Sequence, residues 1–306
     1  MHTYTDEQLA RYFARIDYHH DNVRQHAAED PLACLTALQA HQMAHVPFES
    51  LSLHYARHRV ISLNPEELFT KVVDRRRGGY CMELNTLFAG VLRSLGFTLF
   101  SAGGRVRQQP DGGYKGWDHM VNIITITGQR YLVDVAFGSH GPPQPVPLQH
   151  DYEFVGIAPM RGRLQHRSLA EHTDDGQRVW VYSAQADEAA PWNDMYHFVE
   201  LEFLPGDFEV MSARTSTAPT SFFVQSVMCM TTVLDEAGEK PVGVRILHRD
   251  YVKQRIGAES EIIEKLQWEP QRVGALRKHF GIELSPEEQN GIRGLASELR
   301  FTGGHA

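Results

Sequence analysis

Cysteine is scarce in this sequence: there are three in 306 residues, at positions 34, 81 and 229. An odd count without paired spacing argues against a disulfide framework and a zinc ribbon. No run of about 18 apolar residues occurs, so no membrane span is expected. A basic excess is missing as well, since 30 lysines and arginines face 38 acidic residues for a formal net charge of -8. Nucleic-acid binding needs a basic face that displaces counterions, so no nucleic-acid partner is expected. A small anionic ligand needs only a few local cations and is compatible with this charge. The stretch from Met1 to Ile16 lacks the basic start and apolar run of a signal peptide. Internal repeats and low-complexity segments are absent too. These absences predict a reduced, cytoplasmic protein.

What is present is an ordinary globular composition, 42% hydrophobic and 22% charged. The length exceeds one compact core, so two or three lobes are expected. The first third reads as helical. Thr5 and Gln8 form a capping box ahead of Leu9, Tyr12, Phe13 and Ile16. Asp30-Pro31 and Asn64-Pro65 each place a cap and an N1 proline before apolar positions at helical spacing. Gly78-Gly79 breaks the chain, a helix follows with Leu84, Leu87, Phe88, Val91 and Leu95, and Gly96 stops it. From Thr98 the pattern turns to strands. His119–Ile126 and Tyr131–Phe137 flank Gly128-Gln129, which reads as a hairpin turn. Weaker strands are expected at Arg178–Tyr182 and His197–Phe203, then at Phe222–Thr232 and Val242–His248. Helices are expected around Ile262–Leu266 and Val273–Phe280. The fold class expected is α+β and multidomain: a helical region over 1–97, a β region over 98–213 and a mixed α/β region over 214–306.

The stretch Arg77-Gly78-Gly79-Tyr80-Cys81-Met82-Glu83-Leu84-Asn85 carries the most chemistry. Its cysteine opens a helix, where free N–H groups and the macrodipole favour an anionic, nucleophilic sulfur. The two glycines would admit a substrate and leave nearby N–H groups free for an oxyanion. The plainer reading, a small core residue starting a helix, stands beside this one. A nucleophilic thiol needs a base, and the base an orienting partner. His119 at the head of one strand and Asp134 in the next supply both types. An aspartate in the apolar run Tyr131–Phe137 needs such a partner against its desolvation cost. With Gly128-Gln129 as the turn, however, Asp134 falls opposite Ile123, roughly 13 Å along the strand from His119. A bulge or another register is then required.

These elements resemble those of the arylamine N-acetyltransferases. The Cys81 stretch is similar to the family's R-G-G-x-C-x-E-x-N element. His119-Met120-Val121-Asn122 and Val133-Asp134-Val135-Ala136-Phe137-Gly138 are similar to its histidine and aspartate elements. Val46-Pro47-Phe48-Glu49-Ser50 resembles P-F-E-N, with Ser50 in place of asparagine, and Ala136 stands where glycine is usual. Pro219–Phe223 resembles a further element, in wording closer to fungal than to bacterial members. The matches run in family order over roughly residues 1–235.

The resemblance implies an N-terminal helical bundle, a central β-barrel and a C-terminal α/β lid around a cysteine-protease-like core. It implies ping-pong acyl transfer from acetyl-CoA or another acyl-CoA to an aromatic amine or hydrazine, with Cys81, His119 and Asp134 catalytic. No permanently bound cofactor and no metal are implied, and the chain would act as a monomer or homodimer. Lys115, Gly116, Arg214, Thr215, Ser216 and Thr217 are the implied coenzyme A contacts. Phe48, Trp117, Phe137 and Gly138 are the implied substrate pocket, with core packing the plainer reading for Trp117 and Phe137. Glu49 and Arg77 are expected to pair. Arg214, where some relatives carry an aromatic residue, would favour a carboxylated donor such as malonyl-CoA.

Other features carry less. His41/His45 and His54/His58 have helical metal spacing but no accompanying motif. Gly103-Gly104 and Gly112-Gly113 read as turns, and Cys34 and Cys229 as core. Two other readings compete: a transglutaminase-like enzyme or amide hydrolase using the same triad, and a catalytically silent interaction protein.

Overall fold

The computed structural model describes residues 2–108 and 112–300. Local capping starts the N-terminal helices where the sequence places it. In α1 (Asp6–Arg15) the Thr5 hydroxyl accepts the Gln8 N–H at 3.2 Å, and the Gln8 side chain accepts the Thr5 N–H at 3.0 Å. After α2 (Val23–Glu29), Asp30 accepts the Ala33 N–H at 3.1 Å and Pro31 opens α3 (Pro31–His45). Strand β1 (Phe48–Glu49) follows, then α4 (Pro65–Phe69), capped by Asn64. Helix α5 (Cys81–Ser94) is buried along almost its whole length and forms the centre of the largest apolar cluster. Gly96, at φ 93°, ends it, a conformation that favours glycine.

Eight antiparallel strands come next: β2 (Thr98–Val106), β3 (His119–Ile126), β4 (Gln129–Val133), β5 (Val146–Pro147), β6 (Tyr152–Val155), β7 (Arg161–Arg167), β8 (Val179–Gln185) and β9 (Asn193–Glu202). They make one sheet in the order β5-β4-β3-β2-β9-β8-β7-β6. Its two edges, β5 and β6, are neighbours in sequence with only 148–151 between them. The five steps from Pro147 to Tyr152 reach at most about 18 Å, so the sheet must curl until its edges approach each other. The result is a nearly closed barrel around Val121, Ile123, Leu132, Leu164, Tyr182 and Phe198.

The chain continues through α6 (Pro205–Thr217), α7 (Phe222–Gln225), strands β10 (Met228–Leu234), β11 (Pro241–His248), β12 (Tyr251–Ile256) and β13 (Glu259–Lys265), then α8 (Glu269–Phe280) and α9 (Pro286–Gly291). These four strands and β1 form a second sheet, β1-β10-β11-β12-β13. Phe48 faces Met230 and Glu49 faces Cys229 across it, so the N-terminal part is stitched to the last third. The class is α+β. The expected division at 213/214 falls inside α6, and residues 301–306 lie outside the described residues.

Four local expectations are corrected, the first being Gly103-Gly104, which form no turn but lie inside β2 paired with Met120 and His119. Ile262–Leu266 is not helical: Glu259–Lys265 pairs with β12 as an edge strand, entered through a turn at Gly257-Ala258 with Gly257 at φ 54°. Its β-branched pair Ile262-Ile263 fits a pleated surface better than a helix. Phe222–Thr232 is not one strand, because α7 occupies 222–225 and extended pairing begins at Met228. The β3–β4 turn is Thr127-Gly128, at φ 47° and 85°, with Ile126 opposite Gln129. Two consecutive positive φ values are what a two-residue hairpin of this hand requires.

Candidate active site

The corrected turn resolves the distance between the histidine and the aspartate. Asn122 faces Val133 across β3–β4, so continuing the register places Asp134 beside Val121, two residues from His119 rather than four. Diagonal neighbours of that kind lie within reach of each other's side chains. His119 Nε2 meets Asp134 Oδ2 at 2.7 Å, with the two residues 2% and 0% exposed. The same carboxylate accepts Asn85 Nδ2 at 3.1 Å and the Ala136 N–H at 3.0 Å through Oδ1. Burial opposes ionisation of both partners, but their mutual attraction and hydrogen bond hold Asp134 below the usual carboxylate range. For His119, burial alone would lower the imidazole pKa. The Asp134 charge, and then the Cys81 sulfur hydrogen-bonded to the ring, raise it to about 10.

Cys81 is the first residue of α5 and is 3% exposed. Its Sγ also lies 3.7 Å from the Asp118 carbonyl. The glycines before it serve a different end from the one expected. A Cβ on Gly78 would stand 1.8 Å from the Pro47 carbonyl, and one on Gly79 would meet the Glu83 carboxylate at 2.7 Å. Their N–H groups are already used: Gly78 donates to Glu49 at 3.2 Å and Gly79 to the Pro47 carbonyl at 3.2 Å. The next one, on Tyr80, goes to Glu83 at 3.1 Å. The glycines therefore let β1 press against the loop that aims Cys81, and leave no N–H for an oxyanion. The free donors begin at the open first turn of α5 itself, at Cys81 and Met82. Glu49 and Arg77 do not pair as expected. Arg77 binds Glu288 at 2.5 Å, while Glu49 holds Gly78 and the Leu51 N–H.

Cys81 and His119 open into a cavity of 660 Å³ between the barrel, α6 and the second sheet. Phe48, Trp117, Phe137 and Gly138 line it, and so do Lys115, Gly116, Arg214 and Thr215. Ser216 and Thr217 do not. They face a separate 860 Å³ cavity, and their hydroxyls bond back to the α6 carbonyls of Ser212 and Ala213 at 2.8 and 2.6 Å. The helical turn explains this, because successive α6 residues cannot all face one side. Trp117 sits edge-on to Phe203 at 5.1 Å and under the Arg105 guanidinium at 4.3 Å. The Phe137 and His119 rings meet at 5.2 Å. Ser50 accepts the Met228 N–H at 3.2 Å and donates to the Ser226 carbonyl at 3.0 Å, tying β1 to the entry of β10.

Two parts of the site were not singled out from sequence. Asn85 bonds Asp134, the Met120 carbonyl (2.8 Å) and the Val135 N–H (3.2 Å), so one buried amide joins α5, β3 and the aspartate loop. Its position four residues after Cys81, on the same helix face, was the available signal. Gln39 of α3 supports the same loop through the Asp134 and Pro142 carbonyls at 3.3 and 2.9 Å. The spaced histidines have other partners: His41 the Ile16 carbonyl, and His54 both Ser297 and the Phe223 carbonyl. Cys34 and Cys229 are fully buried.

The N-acetyltransferase family model matches residues 31–289. The N-malonyltransferase FDB2 of Fusarium pseudograminearum is 40% identical over 290 residues, spanning 89% of this chain and 84% of that protein. The arylamine N-acetyltransferase of Mycolicibacterium smegmatis is 31% identical over 275 residues, 89% of this chain and 92% of that one. The solved Mycobacterium marinum arylamine N-acetyltransferase in complex with CoA aligns with a TM-score of 0.76 at 29% identity, over 93% of this chain and 98% of that chain. A match of this extent, in sequence and in fold, establishes that the chain belongs to the arylamine N-acetyltransferase family of acyltransferases.

Proposed function

We propose that the protein transfers an acyl group from coenzyme A to the amino group of a small aromatic amine or hydrazine through an acyl–Cys81 intermediate. The observation that carries this reading is the buried His119–Asp134 bond of 2.7 Å in a cavity that Cys81 also lines. An imidazole held protonated beside the sulfur stabilises a thiolate as an ion pair. The thiolate attacks the thioester carbonyl, and the developing oxyanion faces the first-turn N–H groups of α5. The C–S bond to coenzyme A breaks, and its sulfur leaves with the proton of His119. An amine then attacks the acyl–Cys81 carbonyl. The nitrogen gives a proton to His119, and the Cys81 thiolate is regenerated.

Lys115 and Arg214 stand at the cavity wall as cations for the donor, and Phe48, Phe137, Phe222 and Phe223 offer aromatic faces for the acceptor. Arg214 is exposed, and its guanidinium makes no hydrogen bond or ion pair among the described residues. Together with the likeness to an N-malonyltransferase, this favours malonyl-CoA over acetyl-CoA as donor. A hydrolase using the same triad is the competing reading.

Initial rates measured over a grid of donor and 4-aminobenzoate or hydralazine concentrations separate the two. Parallel double-reciprocal lines, with coenzyme A release that depends on the amine, are expected. Amine-independent release of coenzyme A at the full rate would mean hydrolysis.

A further inference from the structure

The cavity that receives the donor is lined by an acidic residue that the proposed mechanism does not use. Asp118 lines it immediately before His119, with its own carbonyl 3.7 Å from the Cys81 sulfur. The carboxylate is fixed, because Oδ1 accepts the Val106 N–H at 2.9 Å and Oδ2 lies 3.9 Å from Lys115 Nζ. Its side chain is only 20% exposed. Burial pushes this carboxyl up, while the Val106 N–H and the Lys115, His119 and Arg214 charges pull it back. Arg214 thus shares the local field of Asp118 without bonding to it. Lys115, Arg214 and His119 thus stand as cations around one fixed anion.

We infer that Asp118 is a specificity residue, which sets by its charge how strongly the enzyme prefers a carboxylated acyl donor over a neutral one. The inference rests on the reading that Cys81 is acylated by coenzyme A thioesters. A carboxylate carried on the acyl group of a donor must lie close to Cys81, where it is attracted by Arg214 and repelled by Asp118. An acetyl group feels neither strongly. Removing the Asp118 charge therefore helps a dicarboxylic monothioester selectively. The coenzyme A part is common to both donors and cancels from their ratio.

Asp118→Asn is the test, since asparagine keeps an oxygen acceptor for the Val106 N–H and removes only the charge. Single-turnover acylation of Cys81 by malonyl-CoA and by acetyl-CoA is followed by intact mass in the wild type and the variant. The malonyl-to-acetyl ratio of acylation efficiency is expected to rise on the order of tenfold. Arg214→Gln, at an exposed position, should move the same ratio the opposite way. A ratio within twofold of wild type in Asp118→Asn overturns the inference, whether the two rates stay or fall together. If Asp118→Asn does not fold, an unchanged ratio in Arg214→Gln overturns the charge-balance account. No Cys81 adduct in the wild type with either donor would instead sink the acylation reading itself.

Discussion

Replacing Asp134 with asparagine isolates what the buried carboxylate does for His119. In the wild type the Asp134 carboxylate outweighs burial and pushes the ring's pKa up to about 10 from an ordinary 6.5, so the imidazolium form is favoured at pH 7.5. Without the carboxylate, burial lowers the value against the Cys81 sulfur alone, so the charged fraction at that pH falls. Charge loss by itself should slow alkylation of Cys81 by iodoacetamide at pH 7.5. Acylation should fall further, by about 10³ or more, because the asparagine amide can fix the wrong ring tautomer. Stability changes in step. The raised His119 pKa contributes stability that is fully present below pH 6.5 and is lost as pH rises through about 10. The lowered Asp134 pKa contributes stability present above pH 3.8 and lost as pH falls below it. The gap between wild type and Asp134→Asn in urea unfolding is therefore widest between about pH 4 and 6.5 and narrows toward pH 10. Rapid-quench mass spectrometry for acylation and urea melts across pH check both. Wild-type alkylation and acylation rates in the variant at pH 7.5, or a stability gap that widens from pH 7 to 10, would refute the reasoning.

Gly78→Ala should destabilise by at least about 3 kcal/mol, because its Cβ meets the Pro47 carbonyl at 1.8 Å and β1 must move; the urea midpoint reads this directly. Arg272→Met should cost about 3–5 kcal/mol, since the 1%-exposed guanidinium is the partner of Glu269 and also binds Tyr55 and the Ser297 and Arg249 carbonyls; the same melts check it. Ser216→Ala and Thr217→Val should leave the donor KM within about twofold, because both hydroxyls are turned away from the catalytic cavity. Lys115→Ala and Arg214→Ala should each raise it several-fold. Steady-state donor titrations decide between the two pairs.

Much of the helical part was legible because capping is local. Thr5 with Gln8, Asp30 with Pro31, Asn64 with Pro65 and Gly96 act within a few residues of themselves, and each sits where its chemistry requires. The strand His119–Ile126 was legible from its β-branched run. The misreadings depend on partners far away in sequence. Threonine at positive φ is an uncommon choice for a turn, so the sequence points to a hairpin one residue later, which shifts Asp134 by two positions relative to His119. Ile262-Ile263 has no periodicity of its own and becomes a strand only through β12. The Gly78 and Gly79 N–H groups looked free because Glu49 and Pro47, their acceptors, lie about 30 residues earlier. Asn85 was visible within the Cys81 stretch, yet its three partners come from β3 and the loop after β4, so its purpose emerges only in the fold.

The central claim is that Cys81 carries the acyl group. Intact mass spectrometry after seconds of mixing with acetyl-CoA, propionyl-CoA or malonyl-CoA, beside a Cys81→Ala control, tests it most directly. The account predicts a mass gain of one acyl group in the wild type only, discharged when an aromatic amine is added and leaving the acylated amine in solution. An adduct that persists in Cys81→Ala, or no adduct from any donor while iodoacetamide still labels Cys81 rapidly, would contradict it.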